Sequence, residues 1–195
     1  QAALADNNKR PVKLVEATFF LPTMNRDAPA EFEEAHLPGA VFFDIDAVSQ
    51  ADNPLPHMLP TSEQFAAEIS KIGIEDTDHI VIYDRSPLFS AARAWWMFRY
   101  FGHTEVSILD GGYKSWLAAG GQTQTGVQSV TASRFTARNQ SEFRAVTMDE
   151  IASWIDAGTC PQILDARASD RFMGIAKEPR PGLRSGHIPG AIKDR

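Results

Sequence analysis

One pentapeptide occurs twice in this chain, as His36-Leu37-Pro38-Gly39-Ala40 and His187-Ile188-Pro189-Gly190-Ala191, 151 residues apart. A second match lies upstream of each copy: Leu14-Val15-Glu16-Ala17 corresponds to Ile163-Leu164-Asp165-Ala166 at a spacing of 149. Two separate matches at nearly one spacing mark a duplicated unit, and duplication constrains the fold more than any other feature of the sequence. Whatever topology the first copy adopts, the second must begin to adopt too. At 195 residues the chain has room for one large domain or two small ones, at about 100–150 residues each.

The first copy alternates between strand and helix patterns. Val12–Ala17 and Ala40–Phe43 are short apolar runs that read as strands. Thr61 and Gln64 have capping-box spacing, and Phe65, Ile69 and Ile72 follow at helical period. His79–Tyr83 is a β-branched run without helical period, hence a buried strand. Ser90 is placed to cap a helix running to Phe101 and stopped by Gly102; Val106–Leu109 is another strand, and Tyr113–Ala119 a helix closed by Gly120-Gly121. Trp95, Trp96, Met97 and Phe98 read as a buried face of the Ser90 helix, and Arg93 on the same helix receives no role. Such alternation implies an α/β fold, a central parallel sheet flanked by helices. The polar stretch 126–143 separates a first domain, 1–125, from the beginning of a second, 144–195. The second opens on Thr147 and Glu150, again a capping box, with Ile151, Trp154 and Ile155 behind it. Gly158 stops that helix and Gln162–Ala166 is the next strand.

The second copy ends soon after its His-x-Pro-Gly, whereas most of the first copy follows its own. Half a domain would leave strand edges and apolar faces uncovered, so the expectation is that the native protein continues beyond Arg195. Net charge is −6 and no Lys/Arg stripe is present, which argues against nucleic acid as a partner. Cys160 is the only cysteine. It rules out an intramolecular disulfide and a Cys-rich metal site, and suits a reducing compartment, the cytoplasm being the expectation. No apolar run approaches the roughly 20 residues that span a bilayer, and Gln1 to Arg10 lacks the apolar core of a secretory signal.

Five stretches together resemble the tandem-rhodanese family of thiosulfate and 3-mercaptopyruvate sulfurtransferases. They are His36–Asp46 (HLPGAVFFDID), Leu55–Pro60 (LPHMLP), Ser90–Gly102 (SAARAWWMFRYFG), Val106–Gly112 (VSILDGG), and Asp165–Gly190, which contains EPRPGLRSGHIPG. The resemblance to the mercaptopyruvate members implies two similar α/β domains, the second carrying a catalytic cysteine in a Cys-Gly-x-Gly-x-Thr loop between a strand and a helix. It implies that a thiolate takes sulfur from a small-molecule donor as a persulfide and yields it to a thiol or cyanide acceptor. No cofactor or metal is implied, and the site is expected in the cleft between domains. Asp84, at the start of the loop after His79–Tyr83, lies 48 residues past His36. The same distance past His187 falls beyond Arg195, so the nucleophile is expected outside this sequence, with Asp84 in its place in a silent first domain.

Family correspondence assigns further roles. Arg171 and Arg180 match the two arginines that hold the mercaptopyruvate carboxylate and keto oxygen; a guanidinium fork suits a planar carboxylate. Asp46 and His57 match two members of a proton relay, a carboxylate orienting an imidazole, whose third member is a serine of the absent loop. His36 and His187, present in both copies, are expected to tie loops in place. Cys160 follows a helix-ending glycine and precedes a strand, so it is read as structural. A phosphoryl-transfer reading of Asp84–Phe89 finds no Gly-rich phosphate cradle beside it. The rival to the enzyme is a non-catalytic rhodanese module that binds a protein partner; it gains weight if 195 residues is the whole native chain.

Overall fold

β-Branched runs become strands where expected. The computed structural model describes residues 11–127, 129–138, 143–179 and 182–193, which form two compact units divided between Arg144 and Ala145. In the first unit, β1 (Val12–Glu16), β2 (Val41–Phe42), β3 (His79–Tyr83) and β4 (Val106–Ile108) make one parallel sheet in the order β2-β1-β3-β4. β1 sits inside the sheet, pairing Val15 with Val41 on one side and with Ile82 on the other.

Alternation along the strands sorts side chains to two faces. Val15, Ile80 and Ile82 point to one face, where they meet Phe65 and Ile69 of α2 (Ser62–Lys71) and Met97 and Phe98 of α3 (Ser90–Tyr100). Phe65 stacks on Phe101 at 4.3 Å and meets Phe98 edge-on at 5.4 Å. Leu14, Val81 and Tyr83 point the other way, toward Phe32 of α1 (Ala28–Glu34) and Tyr113 and Trp116 of α4 (Gly112–Ala118). Each such large side chain withdrawn from water contributes about 1.5–3 kcal/mol, so helices must cover both faces. The Trp95-to-Phe98 stretch divides: Met97 and Phe98 are buried, while Trp95 and Trp96 pack at the margin, with Trp95 Nε1 donating to the Val106 carbonyl at 3.1 Å.

The Thr61–Gln64 capping box forms, each partner bonding the other's backbone N–H. Ser90 departs from its expected role as a cap. It is the first residue of α3, Phe89 holds the cap position in left-handed backbone (φ 53°), and the Ser90 hydroxyl turns inward to accept from Phe19 N at 3.1 Å. α1 has no counterpart among the sequence expectations: seven residues are too few for a periodic signal, though Asp27 caps it through Ala30 N and Pro29 lies in its first turn.

The stretch that reads as a linker, 126–143, lies against the first unit over residues 129–138. Phe135 enters the aromatic cluster. The backbone N–H groups of Ser133, Thr136 and Arg138 donate to Ser70 O, Asp76 Oδ1 and Phe101 O at 2.8–2.9 Å. Gly102 (φ 85°) permits this approach, since a Cβ there would stand 2.9 Å from the Arg138 carbonyl oxygen. Polar composition disguises the segment because its contacts are mainly backbone hydrogen bonds anchored by one aromatic side chain.

The second unit begins with α5 (Met148–Asp156), whose Thr147–Glu150 capping box also forms. β5 (Leu164–Asp165) pairs in parallel with β6 (Ile192–Lys193), and the short α6 (Ser169–Phe172) lies between them in sequence. Leu164 faces Ile192 as Val15 faces Val41, and Asp165 faces Lys193 as Glu16 faces Phe42. The pairing thus follows the spacings of the sequence repeat. Among the described residues no helix is long and apolar enough to cross a membrane.

Candidate active site

Asp46 and His57 come together in the first unit although neither lies in a helix or strand. After β2, the Asp44 carboxylate accepts from the backbone N–H of Asp46 and Ala47 at 2.9 and 3.3 Å. This local turn leaves the Asp46 side chain free to project. His57 sits at the end of a loop closed by Gln50 N donating to Met58 O at 3.0 Å. Its Nε2 meets Asp46 Oδ1 at 2.7 Å, and its ring stands edge-on to Phe19 at 4.8 Å. Since the carboxylate is an acceptor, Nε2 donates; the neutral ring then keeps the lone pair of Nδ1 as a proton acceptor. The His57 side chain is 25% exposed and that of Asp46 70%, so the imidazole is half-shielded and still reachable. His57 has left-handed backbone, φ 57°, and Arg93 of α3 donates from Nη2 to its carbonyl at 2.7 Å. Phe19 carries no signal in the sequence, being one apolar residue after a strand.

The loop after β3 is closed on itself. The Asp84 carboxylate accepts from Ala91 N at 2.7 Å and from the Ser90 hydroxyl at 3.3 Å. It fills the first turn of α3 with an internal anion. Burial pushes the Asp84 pKa up from the ordinary aspartate value, against those two hydrogen bonds. Arg85 forks onto Glu16 through Nε and Nη2, both at 2.7 Å, and also reaches the Glu31 and Ala35 carbonyls. Its guanidinium covers the Tyr113 ring at 4.0 Å. Glu16 is fully buried and also accepts from the Thr18 hydroxyl. Tyr83, whose hydroxyl accepts from Leu37 N, has its pKa driven far up by burial and by the Glu16 charge. The carboxylate and guanidinium of this loop are committed to internal partners.

In the second unit Arg171 lies in α6, and its Nη2 donates to Glu178 Oε2 at 2.5 Å. The other oxygen of Glu178 takes Arg167 Nη1 at 2.9 Å. Arg167 in turn grips Asp165 through Nε and Nη2 and donates to the Gly186 carbonyl. Arg171 holds the Glu178 carboxyl below the usual glutamate range, and Arg167 lowers Asp165 to about 2. One carboxylate therefore fixes two arginines, leaving Arg171 Nε buried and without a partner among the described residues. Glu178 escapes sequence reasoning because it stands in a proline-rich charged loop, where a solvated side chain is the ordinary expectation. Arg180 lies outside the described residues. Cys160, partly buried, falls between α5 and β5. Among the described residues no three His, Cys, Asp or Glu side chains gather as a metal site.

Comparison with known proteins adds a family. Residues 8–119 match the rhodanese-like domain. The chain is 43% identical over 194 residues to a 3-mercaptopyruvate sulfurtransferase of Mus musculus, covering 98% of this chain and 65% of the mouse protein. It is 40% identical over 182 residues to the protein of the same name in Escherichia coli K12, covering 93% and 64%. Among solved structures, the Tum1 protein of Saccharomyces cerevisiae superimposes with a TM-score of 0.87 at 28% identity, covering 98% of this chain and 66% of that one. SseA of Escherichia coli, a structure that addresses the rhodanese fold and mechanism of 3-mercaptopyruvate sulfotransferases, gives 0.77 at 36% identity, covering 93% and 68%. The chain spans about 65% of the length of the mammalian relatives it matches.

Proposed function

Because this chain belongs to the rhodanese family, we propose that the full-length protein is a sulfurtransferase that moves sulfur from 3-mercaptopyruvate, or less readily thiosulfate, to a thiol or cyanide. The nucleophile is the thiolate of a cysteine other than Cys160, on the C-terminal side of Arg195. It attacks the donor sulfur and an S–S bond forms: with mercaptopyruvate the S–C bond breaks and the electron pair leaves as the enolate of pyruvate, which takes up a proton, and with thiosulfate the donor's S–S bond breaks and the pair leaves on sulfite. The cysteine persulfide then passes its outer sulfur to an acceptor thiolate and regenerates the starting thiolate.

This chain contributes two functions to that cycle. Asp46 orients His57, and His57 exchanges a proton near the reacting sulfur. Arg171 and Arg180 receive the donor's carboxylate and keto oxygen, with Arg171 held at one edge by Glu178. The observation that carries the reading is the 2.7 Å contact between Asp46 and His57, two residues that meet across loops. The names of relatives at about 40% identity support the same reaction class.

The test uses the full-length protein incubated with 3-mercaptopyruvate and examined by intact and peptide mass spectrometry. The expected result is one added sulfur atom on a cysteine other than Cys160, retained in Cys160→Ser and discharged by a thiol. Sulfur carried on Cys160, or no sulfur transfer by a folded protein, sinks the proposal.

A further inference from the structure

The backbone of His57 is strained. At φ 57° it occupies the left-handed region, which a residue with a Cβ enters at a cost and keeps only where its surroundings over-determine it. Three contacts do so from three parts of the first unit. Phe19, in the loop after β1, holds the ring edge-on at 4.8 Å. Asp46, after β2, takes Nε2 at 2.7 Å. Arg93, on α3, takes the backbone carbonyl at 2.7 Å. The first two fix the ring; only the third acts on the strained main chain itself.

Arg93 is built for that bond. Its guanidinium lies 5.5 Å from the Trp96 ring centroid on the same helix. Its Nε is buried without a partner among the described residues, and burial lowers its basicity. A cation in such a place gives up hydration that must be offset by the contact it does make. That contact is the His57 carbonyl, 36 residues away in sequence.

We propose that Arg93 is a positioning residue that clamps the His57 main chain in its left-handed conformation, so that the imidazole meets Asp46 and keeps Nδ1 for proton exchange. The catalytic consequence rests on the proposed role of His57 in proton exchange; the clamp itself does not.

The experiment compares Arg93→Met, which keeps the apolar stem and removes the donors, with Arg93→Lys, which keeps one donor, in the full-length protein. In Arg93→Met the His57 imidazole resonances, observed in histidine-labelled protein, should move toward those of an unrestrained histidine. The kcat for mercaptopyruvate should fall about 10- to 100-fold, as for a misplaced catalytic group, with KM changed less than about twofold. Arg93→Lys should recover most of both readouts. If Arg93→Met does not fold, Arg93→Gln, whose shorter arm falls short of the carbonyl, takes its place. Unmoved His57 resonances in the folded variant overturn the clamp. Moved resonances with unchanged kcat uphold the clamp and instead remove His57 from turnover, a result that His57→Ala would repeat.

Discussion

The two copies of the His-x-Pro-Gly motif build the same local geometry in different surroundings. In the first, His36 Nδ1 donates to the Phe32 carbonyl at 2.7 Å and the rings stack at 4.1 Å with 14° between planes. In the second, His187 Nδ1 donates to the Phe172 carbonyl at 2.8 Å and the rings stack at 3.9 Å and 9°. His36 is completely buried; His187 is exposed. Histidine and phenylalanine are four residues apart in the first copy and fifteen in the second. The added stretch contains Glu178, which ties Arg171 and Arg167 together. A second difference concerns the acid at the end of the first strand. Glu16 draws its cation from the loop after β3, 69 residues on, whereas Asp165 draws Arg167 from two residues on. Both acids need a counter-charge, and its source decides what else is free. In the first copy the loop after β3 is occupied in satisfying Glu16; in the second, among the described residues, the neighbouring Arg167 supplies the counter-charge to Asp165.

The largest test of this contrast is Arg85→Met. Removing one partner of a buried pair strands Glu16 without a counter-charge, which costs about 3–5 kcal/mol. Denaturant unfolding should show the midpoint of the first unit falling by a correspondingly large margin. Arg167→Met should shift stability less, because Asp165 is less buried than Glu16 and Glu178 keeps Arg171 as a counter-charge. Equal losses from the two substitutions would break the argument that the source of the cation matters more in the buried copy.

Next comes the histidine pair. His36→Ala removes a buried stacked ring and an internal hydrogen bond, with an expected cost of about 2–3 kcal/mol. His187→Ala, at a site that is exposed in this 195-residue chain, should cost below about 1 kcal/mol when measured on that chain. Thermal unfolding of the two single variants checks this. A His187 variant as damaged as the His36 variant would mean that the motif stabilises through its local bonds alone, independent of burial.

Legibility in the sequence follows the range of the interactions. β3, at His79–Tyr83, and both capping boxes are readable because the forces that form them act within a few residues. The repeat spacings anticipate the matching β1–β2 and β5–β6 registers. What escapes is set by distant partners. Ser90 looks like a cap, yet the Asp84 carboxylate already takes the Ala91 N–H, and the serine hydroxyl is used by Phe19. The residues 129–138 look like a tether, yet Phe135 and the carbonyls of Ser70 and Phe101 fasten them. In the site, Asp46 and His57 stand out only through family resemblance, since ten residues of irregular loop lie between them and no periodicity reports their meeting. Phe19, Arg93 and Glu178 act on those residues or on Arg171 through contacts that no short motif encodes.

The smallest expected effect sharpens the second copy alone. Arg167 lowers Asp165 to about 2, chiefly through their side-chain hydrogen bonds. A carboxyl whose pKa is depressed by folding favours the folded state fully above its unfolded value, near 4, and loses that contribution as pH falls through the folded value. The β5–β6 pair should therefore loosen between about pH 4 and pH 2. Amide hydrogen exchange at Ile192, whose N–H donates to the Ile163 carbonyl, should report that loss in the full-length protein. In Asp165→Asn, exchange at Ile192 should be somewhat faster at neutral pH and lack the carboxyl-dependent step in the acid window. A carbon-13 titration that placed the Asp165 carboxyl near 4 would show that Arg167 leaves this acid unpaired in solution. The contrast with the buried Glu16–Arg85 pair would then be one of presence against absence, and no longer of long against short range.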